Sequence, residues 1–173
     1  ILGIASMTTI GVVGGVYYFI SHMLGKCILF SVAGIMLSQT GTRSISKMGG
    51  LARKMPLTAT VCILGSMILS AIPPLSGFQA EWMLFTGVFQ QGNQANVLGL
   101  VFAVIAILAT FLTVVYTFWP AVRMFFGELP ESMKDVKEAP ISMVAPLFAL
   151  AIISLIIGIF PELITRFLNS VIV

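Results

Sequence analysis

Three titratable side chains stand in stretches that are otherwise almost free of charge: His22, Lys26 and Glu81. His22 and Lys26 are four residues apart, so a helix places them on one face. Glu81 is the only acidic residue inside an apolar segment and follows AIPPLSGFQA (Ala71–Ala80). An imidazole, an amine and a carboxyl among apolar residues are the parts of a proton relay. The charge on such a carboxyl depends on whether water or a cation such as Lys26 reaches it. Three blander readings compete: Lys26 marks the end of a shorter helix, His22 is a satisfied interior histidine, and Glu81 pairs with a helix of another subunit. The apolar run Cys27–Leu37 continues past Lys26 and argues against the first. A charged side chain at a bilayer centre costs about 2.5–3.5 kcal/mol on insertion scales, which is a large expense for packing alone.

The element that must position Glu81 is broken. Pro73 and Pro74 offer no backbone N–H and disfavour helical geometry in the residue before each, and Gly77 adds freedom just beyond. Helical hydrogen bonding is not expected to run continuously from Ile72 to Gly77. Interrupted helices leave backbone groups and water beside a side chain, which is how membrane proteins build ion sites.

Composition justifies the word membrane. Of 173 residues 58% are hydrophobic and 9% charged, with a mean hydropathy of +1.09, against about 25% charged in soluble domains. Uncharged runs such as Val97–Pro120 and Pro140–Phe160 reach the roughly 20 residues that a crossing needs. Strand-period alternation is absent, so the fold class is all-α, a polytopic transmembrane helical bundle in one domain. Its expected parts are residues 1–10 as the end of an upstream helix, full crossings at 11–38, 57–91 (interrupted at 73–77), 96–126 and 141–160, and an interfacial tail at 162–173 with Leu163, Phe167 and Leu168 on its apolar face. With Ile1 first and no signal-peptide pattern, a C-terminal fragment is the favoured reading. Gly11 and Gly15 permit close helix contact. Cys27 and Cys62 read as small buried residues, because no metal-ligand spacing surrounds them.

Charge distribution orients the chain. The loop Ser38–Pro56 holds Arg43, Lys47, Arg53 and Lys54 without an acid, and 127–139 holds Lys134 and Lys137 with Arg123 just before it. By the positive-inside rule loops 39–56 and 127–139 face the cytoplasm or matrix, in a prokaryotic cytoplasmic or mitochondrial inner membrane, and Gly92–Asn96 faces the other side. This holds if Leu57–Gln91 crosses once. Two short crossings would reverse the last two assignments. Bond chemistry finds no constellation: there is no nucleophile–base pair, phosphate loop or cysteine cluster. No cofactor, metal or nucleic-acid partner is expected.

The segments HMLGKCILF (His22–Phe30), GTRSISKMGGLARKMP (Gly41–Pro56), IPPLSGFQAEW (Ile72–Trp82) and the tail IGIFPELI (Ile157–Ile164), in this order, resemble the antiporter-like membrane subunits shared by respiratory complex I, membrane-bound energy-converting hydrogenases and Mrp-type cation/proton antiporters. The resemblance covers essentially the whole chain and is nearest to the subunit M type of complex I, since other members carry Lys at the position of Glu81. It implies the second of two inverted repeats, from its middle onward, with one discontinuous helix, plus the final helix. It also implies that Glu81, Lys26 and His22 lie on a proton pathway whose first half belongs to the first repeat. The function implied is proton translocation, without redox chemistry in this chain, inside an NADH/quinone-oxidoreductase-like or hydrogenase-type assembly. The partners would be other membrane subunits, including redox subunits, the bilayer, and protons, with Na+ as the other candidate ion. The competing readings are a secondary Mrp-type Na+/H+ antiporter without a redox partner and a structural scaffold with a degenerate channel.

Overall fold

The structure, a computed structural model, describes residues 1–92 and 97–172. Among the described residues seven α-helices follow one another: α1 (Leu2–Ala5), α2 (Thr9–Thr40), α3 (Pro56–Leu69), α4 (Ser76–Gly92), α5 (Val97–Phe125), α6 (Ile141–Ile159) and α7 (Glu162–Ile172). Among the described residues there is no strand. The helices α2, α5 and α6 are each long and apolar enough to cross a membrane.

Local chemistry sets the ends. The Thr8 side chain accepts from the Gly11 N–H at 3.2 Å and starts α2. Gly41, in the left-handed region at φ +68°, stops it. α3 opens on Pro56, where a missing N–H costs nothing. The next two amides, Leu57 and Thr58, donate to the Glu138 carboxylate at 2.6 and 3.4 Å, and the Thr58 hydroxyl donates to its other oxygen at 2.6 Å. A carboxylate distant in sequence thus caps α3.

That cap and its neighbours give the topology. The Gly50 N–H donates to the Phe126 carbonyl at 3.1 Å, so the segments after α2 and after α5 touch each other at the start of α3. Both cationic loops therefore lie at one end of the bundle. At the opposite end the Thr8 hydroxyl donates to the Gly87 carbonyl at 3.2 Å, placing the last turns of α4 beside the start of α2. α3 and α4 together run from one end of the bundle to the other, the arrangement expected of one interrupted crossing. The loop expected at Gly92–Asn96 lies, from residue 93 onward, outside the described residues.

The interruption occupies Ser70–Leu75. Ala71 has φ +51° and the Pro73–Pro74 bond is cis. Ile72 N–H reaches back to the Met67 carbonyl at 3.0 Å, Leu75 N–H closes one turn onto the Ile72 carbonyl at 3.2 Å, and Phe78 then donates to Leu75 at 3.2 Å as α4 begins. Pro73 and Pro74 sit within the gap, and Gly77 lies in the first turn of α4, buried where a Cβ would meet Ile68 and Ala71. Gly77 thus serves close approach, and its backbone is ordinary helix.

One expectation changes. Cys62 is buried, but Cys27 is exposed on the outer face of α2. α7 docks Ile164 and Leu168 into a cluster with Val13, Tyr17 and Ile157, while Leu163 and Phe167 point away. Leu163, Phe167 and Leu168 lie within one apolar arc of α7, of which the Leu168 edge docks inward and the Leu163–Phe167 edge is exposed. Of the paired glycines, Gly11 lies against Gly87 on α4, whereas Gly15 faces Gly3 on α1.

Candidate functional site

α2 continues without interruption past Lys26 to Thr40, roughly 20 Å at 1.5 Å per residue. Lys26 is therefore far from a helix end, and its amine cannot snorkel out along the helix from there. It lies 5.6 Å from the Phe30 ring centroid, a cation–π contact. One turn back is His22, and one turn further Tyr18, whose ring centroid is 5.9 Å from the imidazole. The residues 18, 22 and 26 form one ladder on one face.

α4 runs antiparallel to α2 in close contact. A Cβ on Gly14 would lie 2.5 Å from the Leu84 nitrogen, and the Ser21 and Ser76 hydroxyls meet at 2.7 Å. This register places Glu81 at the level of Tyr17 and Tyr18. Lys26 is about 12 Å away along the α2 axis. Lys26 and Glu81 do not pair: among the described residues the ion pairs are Lys134–Glu131 and Arg166–Glu162, both at the surface.

Instead the two groups open into two cavities. The larger, about 580 Å³, reaches from Lys26 toward Thr42 and Arg43 at the cationic-loop end, and is bounded by Leu69, Tyr116 and Thr117 among others. Pro120 also lines it. Having no N–H to give, Pro120 leaves the Tyr116 carbonyl without its helical partner on this wall. The smaller, about 300 Å³, holds Glu81 with Ser70, Ala71, Phe78 and Trp82 on one side and α5 residues including Thr110 and Val114 on the other. The wall between the cavities is narrow. Leu69 faces the first and Ser70 the second, and the Ser70 hydroxyl lies 2.7 Å from that of Thr117. Thr117 also donates to the Thr113 carbonyl at 2.7 Å.

The break is fixed from behind. Ser76, the first residue of α4, meets Ser21 of α2 and Ser154 of α6 through its hydroxyl, each at 2.7 Å, and its N–H donates to Ser154 Oγ at 3.3 Å. Tyr17 donates to the Ile157 carbonyl at 2.6 Å. Every oxygen here is buried and satisfied, which costs no unpaired polar group.

His22 and Lys26 thus share a face, and Lys26 and Glu81 open into separate cavities divided by a thin wall. Sequence reasoning missed Tyr18, which the four-residue spacing back from His22 signals. It also missed Ser70 and Thr117, which nothing in the pattern singles out. No group of three or more metal-ligating side chains exists among the described residues.

The chain is 35% identical over 162 residues to "F(420)H(2) dehydrogenase subunit M" of Methanosarcina mazei, covering 94% of this chain and 31% of that protein. It is 33% identical over 158 residues to a Na(+)/H(+) antiporter subunit of Alkalihalophilus pseudofirmus, covering 88% of this chain and 20% of the relative. The chain therefore spans a third or less of the length of these relatives. Among solved structures, a chain of the membrane-bound sulfane sulfur reductase, an archaeal respiratory membrane complex, superposes with a TM-score of 0.84 at 31% identity, over 94% of this chain and 26% of that one. Residues 1–123 match the family described as NADH:quinone oxidoreductase/Mrp antiporter, TM, and with the broken helix and apolar crossings in place the chain belongs to that family of integral membrane proteins.

Proposed function

We propose that this chain moves protons as part of an antiporter-like membrane subunit in a complex I-like or energy-converting hydrogenase-type assembly. The carrying observation is the arrangement of Lys26 and Glu81 in two cavities on either side of one thin wall, with the Lys26 cavity directed to the cationic loops. Protons enter from the loop side, pass Lys26 and His22, and reach Glu81, which exchanges them with the far side. The loops 39–56 and 127–139 are cytoplasmic or matrix-facing, from their cations. Redox energy is released in other subunits and arrives through neighbouring membrane subunits. The chain itself contributes no redox chemistry.

The test is Glu81→Gln, which keeps size and polarity but cannot load and release a proton. In sealed vesicles holding the assembled protein, pH-gradient formation is expected to fall at least tenfold, with assembly on a native gel unchanged. Lys26→Ala is expected to be comparably damaging. His22→Ala is expected to lose less, because a water can bridge its place in the ladder. A wild-type rate in Glu81→Gln would make Glu81 structural.

A second reading, a Mrp-type cation/proton antiporter without redox subunits, is supported by the near-equal identity to the Na(+)/H(+) antiporter relative. Affinity purification from native membranes separates them by what co-purifies: redox subunits, or small antiporter proteins. A Na+ gradient that drives proton movement without electron donors would select the antiporter.

A further inference from the structure

The larger cavity ends against Thr117 and the smaller begins at Ser70. Both side chains are buried, at 6% and 9% exposure, and the one hydrogen bond between them joins the two compartments. The adjoining wall is closed by α3–α5 contacts, including the Ser66 hydroxyl donating to the Thr117 carbonyl at 3.1 Å. Lys26 and Glu81 have no direct contact, so a proton passing between them through this wall meets two hydroxyls in series.

We propose that the Ser70–Thr117 hydroxyl pair is the proton-passing junction between the Lys26 cavity and the Glu81 cleft, and that the hydroxyl rotor of Thr117 gates it. The inference rests on the proton-moving reading above. Thr117 has one O–H, and at rest it is committed to the Thr113 carbonyl at 2.7 Å, so Ser70 donates to Thr117 and not the reverse. In this orientation the link cannot accept a proton from the Lys26 side and pass one onward. Turning the Thr117 O–H from Thr113 toward Ser70, with Ser70 turning its own toward the cleft, opens it. Thr117 Oγ1 then takes a proton from water on the Lys26 side and gives its own to Ser70. Ser70 releases its original proton to water beside Glu81 or to the Glu81 carboxylate. One proton enters and one leaves, each hydroxyl ends neutral, and both rotors must turn back before the next passage. The wall thus separates the compartments except when the rotors turn. Both are positioning residues: they carry the proton between the titrating groups without titrating themselves.

The experiment measures proton pumping of the assembled protein in sealed vesicles for Thr117→Val, Ser70→Ala, the double variant and Thr117→Ser, with Glu81→Gln alongside. Valine keeps the shape of threonine, and alanine fits where serine sits. Pumping is expected to fall at least tenfold in each single variant. Thr117→Ser, which restores a hydroxyl on the same carbon, is expected to stay within threefold of wild type. The double variant should be no worse than either single one, because one interruption already opens a series link. Wild-type pumping in Thr117→Val with a dead Glu81→Gln overturns the junction while leaving the proton-moving reading intact. A Thr117→Ser variant as impaired as Thr117→Val, or losses that multiply in the double variant, assigns the pair to packing and also overturns it. A fully active Glu81→Gln removes the reading on which the junction rests and takes the proposal with it. Should Thr117→Val fail to assemble, Ser70→Ala decides by the same criteria.

Discussion

The two sides of the broken helix are built on opposite principles. Toward α2 and α6 it is closed: Gly14 against Leu84, Gly158 against the Pro74–Ser76 backbone, and three serines sharing hydrogen bonds around the first residue of α4. Toward α5 it is open in part: two cavities flank the α3–α5 contact, where Ser66 and Ser70 both hydrogen-bond to Thr117. Lys26 and Glu81 face the open side. Holding the break rigid from behind lets backbone groups and water stand beside Glu81 without the helix ends drifting, which is the tolerance that irregular backbone needs inside a membrane. Packing in bilayers comes from small residues and close van der Waals fit and not from hydrophobic exclusion, so the glycines do on the closed side what bulky side chains do in a soluble core.

The largest effects are therefore expected from a methyl group on the closed side. A Cβ on Gly158 would lie 2.7 Å from the Leu75 carbonyl carbon and the Ser76 nitrogen, and one on Gly14 would lie 2.5 Å from the Leu84 nitrogen. These neighbours are backbone and cannot rotate away. Gly158→Ala and Gly14→Ala should each cost about 1–3 kcal/mol, the range for overpacking. The expected readout is a lowered thermal midpoint of the solubilised assembly and lost pumping together. A neutral Gly158→Ala would show that α6 does not seat the break.

How much of this was legible in the chain follows from what each residue type signals by itself. Two prolines and a glycine within a few positions announce a broken helix wherever they occur, and the break stands at Ser70–Leu75. Lys26 and Glu81 stand out because charge is costly where everything else is apolar. Loop cations favour the single crossing, and the contacts of Gly50 with Phe126 and of Glu138 with Thr58 place both loops at one end. Burial was illegible. A uniformly apolar helix has no polar stripe to say which face turns inward, so Cys27 and Cys62 read alike although one is exposed. Ser70, Thr117 and the serines around Ser76 were silent for another reason. Hydroxyls are common in membrane helices, and their meaning lies in which helix approaches them. Tyr18 sits one turn from His22 and could have been found by extending the ladder.

The serine cluster sharpens the comparison at a middle scale. Ser76→Ala removes the shared partner of Ser21 and Ser154 but leaves the backbone contacts of Gly158 in place. Interhelical hydrogen bonds in membranes are worth roughly 0.6–2 kcal/mol, so the expected loss of stability is below that of Gly158→Ala. Pumping per assembled protein should remain within about twofold, because none of the three serines lines either cavity. Stability that drops while transport per molecule holds would separate the closed side from the open one. Parallel loss of both would merge them.

The smallest effect should come from the same kind of substitution on the open side, with the opposite sign. Gly34 lies in α2 beyond Lys26 and lines the larger cavity, and a Cβ built there meets nothing within 4 Å. Its conformation is ordinary helix, so nothing about the site requires glycine. Glycine inside a helix costs about 0.5–1 kcal/mol relative to alanine through the freedom it must give up. Gly34→Ala should therefore raise stability slightly, by no more than that amount. One methyl group is small against a cavity of about 580 Å³, so transport should be unchanged. Thermal melting of the solubilised assembly and pumping in sealed vesicles read both quantities. A clear destabilisation would mean that another helix occupies the space beside Gly34, and that the open side is closed in the assembly. A stabilised protein with slowed pumping would instead place Gly34 on the proton's path to Lys26, at a point where the route is no wider than a methyl group.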